Sequence, residues 1–130
     1  MIEISNLDKS NYLKGLLIVA KKDNQLAQQE KKIIRHCAEK LGFARDFYED
    51  TLKELLENKY ISEEPIIFSD KKIAESFIME GLNLAHSDNS IDNAEIDWLR
   101  SVAIKNNLSE KWFEDKRVNF KNASATICNQ

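Results

Sequence analysis

One proline and three glycines in 130 residues leave few places where a regular backbone must stop. A β-sandwich or barrel needs many more turn residues than that. Two cysteines, Cys37 and Cys128, are too few for a disulfide framework and cannot form a four-thiolate zinc site, so a reducing, cytoplasmic setting is expected. Residues 1–11 carry acids and no apolar signal core, and no stretch approaches the roughly 20 apolar residues of a membrane span. Histidine is limited to His36 and His86, neither placed at the spacing of a nucleophile–base motif, and no glycine-rich phosphate loop occurs. No catalytic set is therefore expected, and the chain does not read as an enzyme.

Positive charge is also scarce. The net charge is −3 and the pI near 5.5, against the clustered Lys and Arg from which nucleic-acid binders draw affinity. Residues 1–60 hold 11 basic and 10 acidic side chains, whereas residues 61–130 hold 8 and 12. Lys31, Lys32 and Arg35 make the one basic spot, either a solvated helix face or an anion site.

What remains is rich in helix formers: 42% of residues are hydrophobic and 32% charged. Leu13, Leu16, Leu17 and Ala20 make an apolar stripe over residues 12–22, capped by Ser10 or Asn11. Ile33, Ile34, Cys37, Ala38 and Leu41 make a second over 27–41, with Gly42 placed to terminate it. Phe47, Tyr48, Leu52, Leu55 and Leu56 mark a third helix, ending near Asn58. Pro65 forbids a continuous helix from Tyr60 to Phe68, so an extended connection is expected there. Ser69 then caps a fourth helix holding Ile73, Phe77, Ile78, Gly81, Leu82 and Ala85. A fifth spans about 92–105, with Ile96, Leu99, Val102 and Ala103 inward. Ser109 caps a sixth with Trp112 and Phe113. The expected architecture is one all-α domain over residues 1–120, with a flexible tail over 121–130.

The chain also matches itself. Asp23-Asn24-Gln25-Leu26-Ala27-Gln28-Gln29-Glu30 falls on Asp88-Asn89-Ser90-Ile91-Asp92-Asn93-Ala94-Glu95 at an offset of 65. At the same offset Leu17 meets Leu82, Ala20 meets Ala85, Arg35 meets Arg100 and Ala38 meets Ala103. Both copies, residues 12–43 and 77–108, read as helix, tight Asp-Asn turn, helix, which predicts a bundle of two pseudo-repeated helical hairpins. In both, a helix ends in small and apolar residues, then comes Asp, Asn, one residue, a branched apolar residue, three residues and Glu. This pattern resembles the motif of the TerB-like (tellurite-resistance protein B) family. Pro65-Ile66-Ile67-Phe68-Ser69 and Asn107-Leu108-Ser109-Glu110-Lys111-Trp112-Phe113 are similar to the flanks in that family, and the resemblance covers about residues 12–115. Asn24 and Asn89 stand where the family usually has Gly, and Asn is the next-best residue for a positive φ. Ala27 stands in the first copy where Asp92 stands in the second.

The resemblance implies a divalent cation, Ca²⁺ or Mg²⁺ by its hard oxygen ligands, shared by Asp23, Glu30, Asp88, Asp92 and Glu95. The spacing from Asp to Glu equals the second half of an EF-hand loop, but Val19, Lys21, Leu84 and His86 occupy the positions of the opening ligands, which excludes a true EF-hand. The other reading of the five carboxylates is structural: Asp23 and Asp88 stop helices, and Glu30 and Glu95 favour the positive ends of the next ones. The resemblance further implies a binding or adaptor module of a bacterial stress response to tellurite or phage. Its partner would be another protein, and peripheral association with a membrane complex is compatible with it. A small acidic inhibitor or immunity-type protein, acting through protein contacts without metal, is the alternative. Trp98, at the edge of its stripe, could join Trp112 and Phe113 in a partner surface or pack in the core.

Overall fold

The computed structural model describes residues 4–21, 28–57, 64–86 and 93–118. They form six helices, α1 (Asn6–Lys21), α2 (Gln28–Lys40), α3 (Arg45–Glu57), α4 (Lys71–His86), α5 (Asn93–Lys105) and α6 (Glu110–Val118). Among the described residues there is no strand, so the fold is an all-α bundle. The tail expected over 121–130 lies outside them.

Side-chain caps explain where the helices begin. At α1 the Asp8 N–H donates to the Ser5 hydroxyl at 3.1 Å, and that hydroxyl donates to the Asp8 carboxylate at 3.1 Å. This reciprocal cap starts the helix well before the expected residue 12 and overrides Ser10 and Asn11, which continue it. At α4 the cap is Asp70, whose carboxylate accepts the Lys72 N–H at 2.7 Å. Ser69, the expected cap, instead donates its N–H to Asp8 at 3.0 Å. Ser109 does cap α6, accepting the Trp112 N–H at 3.0 Å.

The C-terminal ends of α2 and α5 share one construction. Gly42 at φ 91° and Asn107 at φ 63° turn the chain left-handed. Around Gly42, the Gly42 N–H donates to the Glu39 carbonyl and the Phe43 N–H to the Ala38 carbonyl; the Asn107 and Leu108 N–H groups meet Ile104 and Ala103 in the same way. Nothing lies within 4 Å of a Cβ built on Gly42, so its requirement is purely conformational. Gly42→Ala should cost about 1 kcal/mol. A urea titration checks this, and an unchanged midpoint would contradict it.

The core lies between α1 and α4, with α2 and α3 packed on α1, and α5 packed on both. Gly15 permits the close crossing of the central pair: a Cβ there would stand 2.5 Å from Phe77 Cζ and 3.2 Å from Ile66 Cδ1. Gly81 admits α5 likewise, its Cβ position being 2.5 Å from Leu99 Cδ2. Phe77 centres an aromatic cluster, with ring centroids 5.4 Å from Tyr12, 5.3 Å from Phe68 and 6.2 Å from Trp98. Trp98 is thereby a core residue, 6% exposed, and is not available as a partner surface. The α4 face covers it, because Phe77 fills the space beside the stripe of α5. Phe113 is likewise fully buried, while Trp112 only borders the core.

The two halves run in register. α1 and α4 begin 65 residues apart, as do α3 and α6, and α2 and α5 end 65 residues apart. Gly42 and Asn107 are separated by the same interval. So are the ion pairs Arg35–Glu49 and Arg100–Glu114, which tie α2 to α3 and α5 to α6.

Between the halves, residues 64–68 form the extended connection foreseen from Pro65. It is held by the Asn106 side chain, which is 7% exposed. Asn106 Oδ1 accepts the Phe68 N–H at 2.8 Å, and Nδ2 donates to the carbonyls of Ile66 at 2.7 Å and Val102 at 2.8 Å.

Candidate functional site

Of the five carboxylates expected to hold a cation, Asp23, Asp88 and Asp92 lie outside the described residues. Glu30 is the third residue of α2, and only its place in the helix is described. Glu95 occupies the corresponding third position of α5, in the first turn, and is 1% exposed. The positive end of a helix suits a carboxylate at that position whether or not a cation is near. Among the described residues no group of three or more His, Cys, Asp or Glu side chains is placed to hold a metal ion.

His86 ends α4 and immediately precedes the second Asp segment. It is half-buried, and burial lowers its pKa below the ordinary histidine value. The imidazole is thus biased toward its neutral form, the form a metal or a hydrogen-bond donor would meet.

A second group of polar side chains lies deeper, and sequence reading did not single it out. Tyr12 on α1 and Ser76 on α4 share a buried hydrogen bond of 2.9 Å between their hydroxyls. One turn further along α4, Glu80 is 2% exposed. Its Oε2 accepts from Asn83 Nδ2 at 3.1 Å, and its Oε1 lies 3.9 Å from the Cys37 sulfur on α2. Cys37 is fully buried; Cys128 lies outside the described residues. Burial pushes the Tyr12 phenol far above its usual pKa, with the negative charge of Glu80 adding to the effect and the Ser76 hydrogen bond opposing it. A phenol so raised stays protonated and serves as a hydrogen-bonding group rather than as a base. The signal for Glu80 was legible: an acid three residues after Phe77 and one before Gly81 sits on an apolar stripe.

On α5 and α6, Asp97, Glu110 and Glu114 are paired with arginines. Glu114 receives hydrogen bonds from Arg117 and Arg100, which hold its carboxyl well down, at about 2. Arg100 also meets Asp97 at 3.1 Å and Glu110 at 3.8 Å. Arg35 holds Glu49 below the usual carboxylate range in the equivalent pair. No described helix is long and apolar enough to cross a membrane. Compared with known protein families, with curated proteins and with solved structures, the chain matches none.

Proposed function

We propose that this chain is a non-catalytic, TerB-like binding or adaptor module built from two pseudo-repeated units, serving a bacterial stress response such as that to tellurite or phage. The observation that carries the repeat is the common register: the starts of α1 and α4, the starts of α3 and α6, the ends of α2 and α5, the left-handed terminators and the Arg–Glu ties all recur at an interval of 65 residues. Those ties extend each unit past the hairpin to a third helix. The same register puts Glu30 and Glu95 at equivalent places in α2 and α5, just after the segments that contain Asp23 and Asp88. In this reading the two acidic segments bind Ca²⁺ or Mg²⁺, with buried Glu95 among the ligands. The inhibitor reading is less favoured, because much of the acidity of α5 and α6 is already neutralised by Arg100 and Arg117.

Thermal unfolding of metal-stripped protein with Ca²⁺, Mg²⁺ or Zn²⁺ at fixed ionic strength tests the cation site. A cation at one hundred times its dissociation constant, bound only by the native state, adds about 2.7 kcal/mol. We expect a saturable shift for Ca²⁺ or Mg²⁺, abolished in Asp23→Ala and Asp88→Ala. A shift that survives both substitutions would place the ion elsewhere, and no shift would make the acidic segments turns and caps alone.

A further inference from the structure

The outward face of α3 differs from its counterpart on α6 in one instructive way. At the interval of 65 residues Phe47 corresponds to Trp112, and Thr51 to Lys116. On α6 the Lys116 ammonium lies 5.9 Å from the centroid of the Trp112 ring, one turn along the helix. On α3 Thr51 brings no charge, and its hydroxyl turns back to donate to the Phe47 carbonyl at 2.8 Å. Phe47 stays 53% exposed, stacked on Phe43 with centroids 5.4 Å apart and 19° between the ring planes. An aromatic position that the second half covers with its own cation is thus left open in the first.

Charge around Phe47 points the same way. Asp50, Glu54 and Glu57 follow it at intervals of three and four residues, so they share its side of the helix, and all three are exposed. Asp46 borders this stripe and is also exposed. Of the basic residues on α3, Arg45 acts on Glu49 and Tyr48, and Lys53, three residues from Asp50 and four from Glu57, lies about 120° around the helix from Phe47 and leaves the ring itself uncovered. A π face flanked by exposed carboxylates favours a cation, which the ring attracts through its quadrupole and the acids through their charge.

We infer that the Phe47 face of α3 docks a basic segment of a protein partner, a lysine or arginine covering the ring and its basic neighbours meeting Asp50 and Glu54. This deepens the adaptor reading and rests on it in taking protein contacts as the chain's work. The surface shares no residue with the acidic segments, so the two proposals are tested by different variants.

The test is an NMR titration of the ¹⁵N-labelled full chain, at low ionic strength, with a decapeptide alternating arginine and serine and with its glutamate–serine analogue. The arginine peptide should shift the amides of Phe43, Phe47, Asp50 and Glu54, and the glutamate peptide should shift none of them. Phe47→Ala should weaken binding about fivefold. Thr51→Lys, which supplies the cation found on the other half, should weaken it about tenfold while leaving the melting temperature in place. Glu110→Gln changes the net charge by the same amount and should leave the affinity within about twofold. The inference is overturned if no binding occurs, or if shifts fall equally on Asp97, Glu110 and Asp115. It is also overturned if folded Thr51→Lys binds as the unmodified chain does. None of these results alters the cation melting experiment, so the two proposals fail separately.

Discussion

Asn106→Ala should lower the stability of the fold by about 3–5 kcal/mol, since two buried backbone groups lose their partners at about 1–3 kcal/mol each and a void remains. The groups are the Phe68 N–H and the Ile66 carbonyl, both on the connection that closes over the aromatic cluster. For a chain of this length the melting temperature should fall by about 10–20 °C. Asn106→Asp separates polar pairing from packing, because it keeps the volume and the acceptor for Phe68 but replaces a donor with a second acceptor. Facing the carbonyls of Ile66 and Val102, that carboxyl should have a raised pKa in the folded state, so the variant regains stability as pH falls and its donor returns. Circular dichroism melts of both variants at neutral and mildly acid pH measure this. A loss below 1 kcal/mol for Asn106→Ala would mean that water replaces the side chain and that the clip is dispensable.

Why Asn106 escaped notice in the sequence while most helices did not is a matter of which forces are local. The apolar stripes of α2 and α5, the terminator Gly42, the cap Ser109 and the break at Pro65 are periodic or short-range features that could be read from spacing alone; on α3 the spacing gives the helix, but Phe47 of its stripe is 53% exposed beside buried Tyr48. Asn106 continues the stripe of Leu99, Val102 and Ala103 one step further, where a polar side chain on an apolar face is the mark of a buried partner. That partner, the strand-like connection at 66–68, is 40 residues away. Trp98 illustrates the same limit: its position at a stripe edge was correct, but only the approach of Phe77 decides that the edge is covered. For the candidate site the sequence offers five acidic positions, of which Glu95 is deeply buried and Asp23, Asp88 and Asp92 lie outside the described residues. The aromatic face of α3 was not legible, because its meaning depends on comparing Thr51 with Lys116 in three dimensions.

The start of α1 is the other case in which a distant partner overrides local preference, and it yields the second large effect. Residues 6–11 show little apolar periodicity, and Leu7 is 72% exposed, so packing alone would not extend the helix so far back. Asp8, 2% exposed, supplies the reason. Its carboxylate accepts from the Ser5 hydroxyl, the Ser69 N–H and the Ser69 hydroxyl, joining the first turn of α1 to the entry of α4 across 61 residues. Burial pushes the carboxyl up, but these three donors together outweigh it and hold the pKa below the ordinary Asp value. Since the folded pKa is depressed, the unfolded chain binds its proton first as pH falls. The stabilisation is therefore present above about pH 4 and is lost as pH drops through the folded pKa. Asp8→Ala should cost about 2–4 kcal/mol at pH 7, as expected for charge-assisted hydrogen bonds left unmade. Glu114, held at about 2, also loses its pairing in strong acid, so the Asp8 contribution is the difference between variant and unmodified chain. That difference should shrink as the pH of the urea titration is taken from 7 toward 3. A gap that stays constant across this range would show that Asp8 acts by packing rather than by its charge.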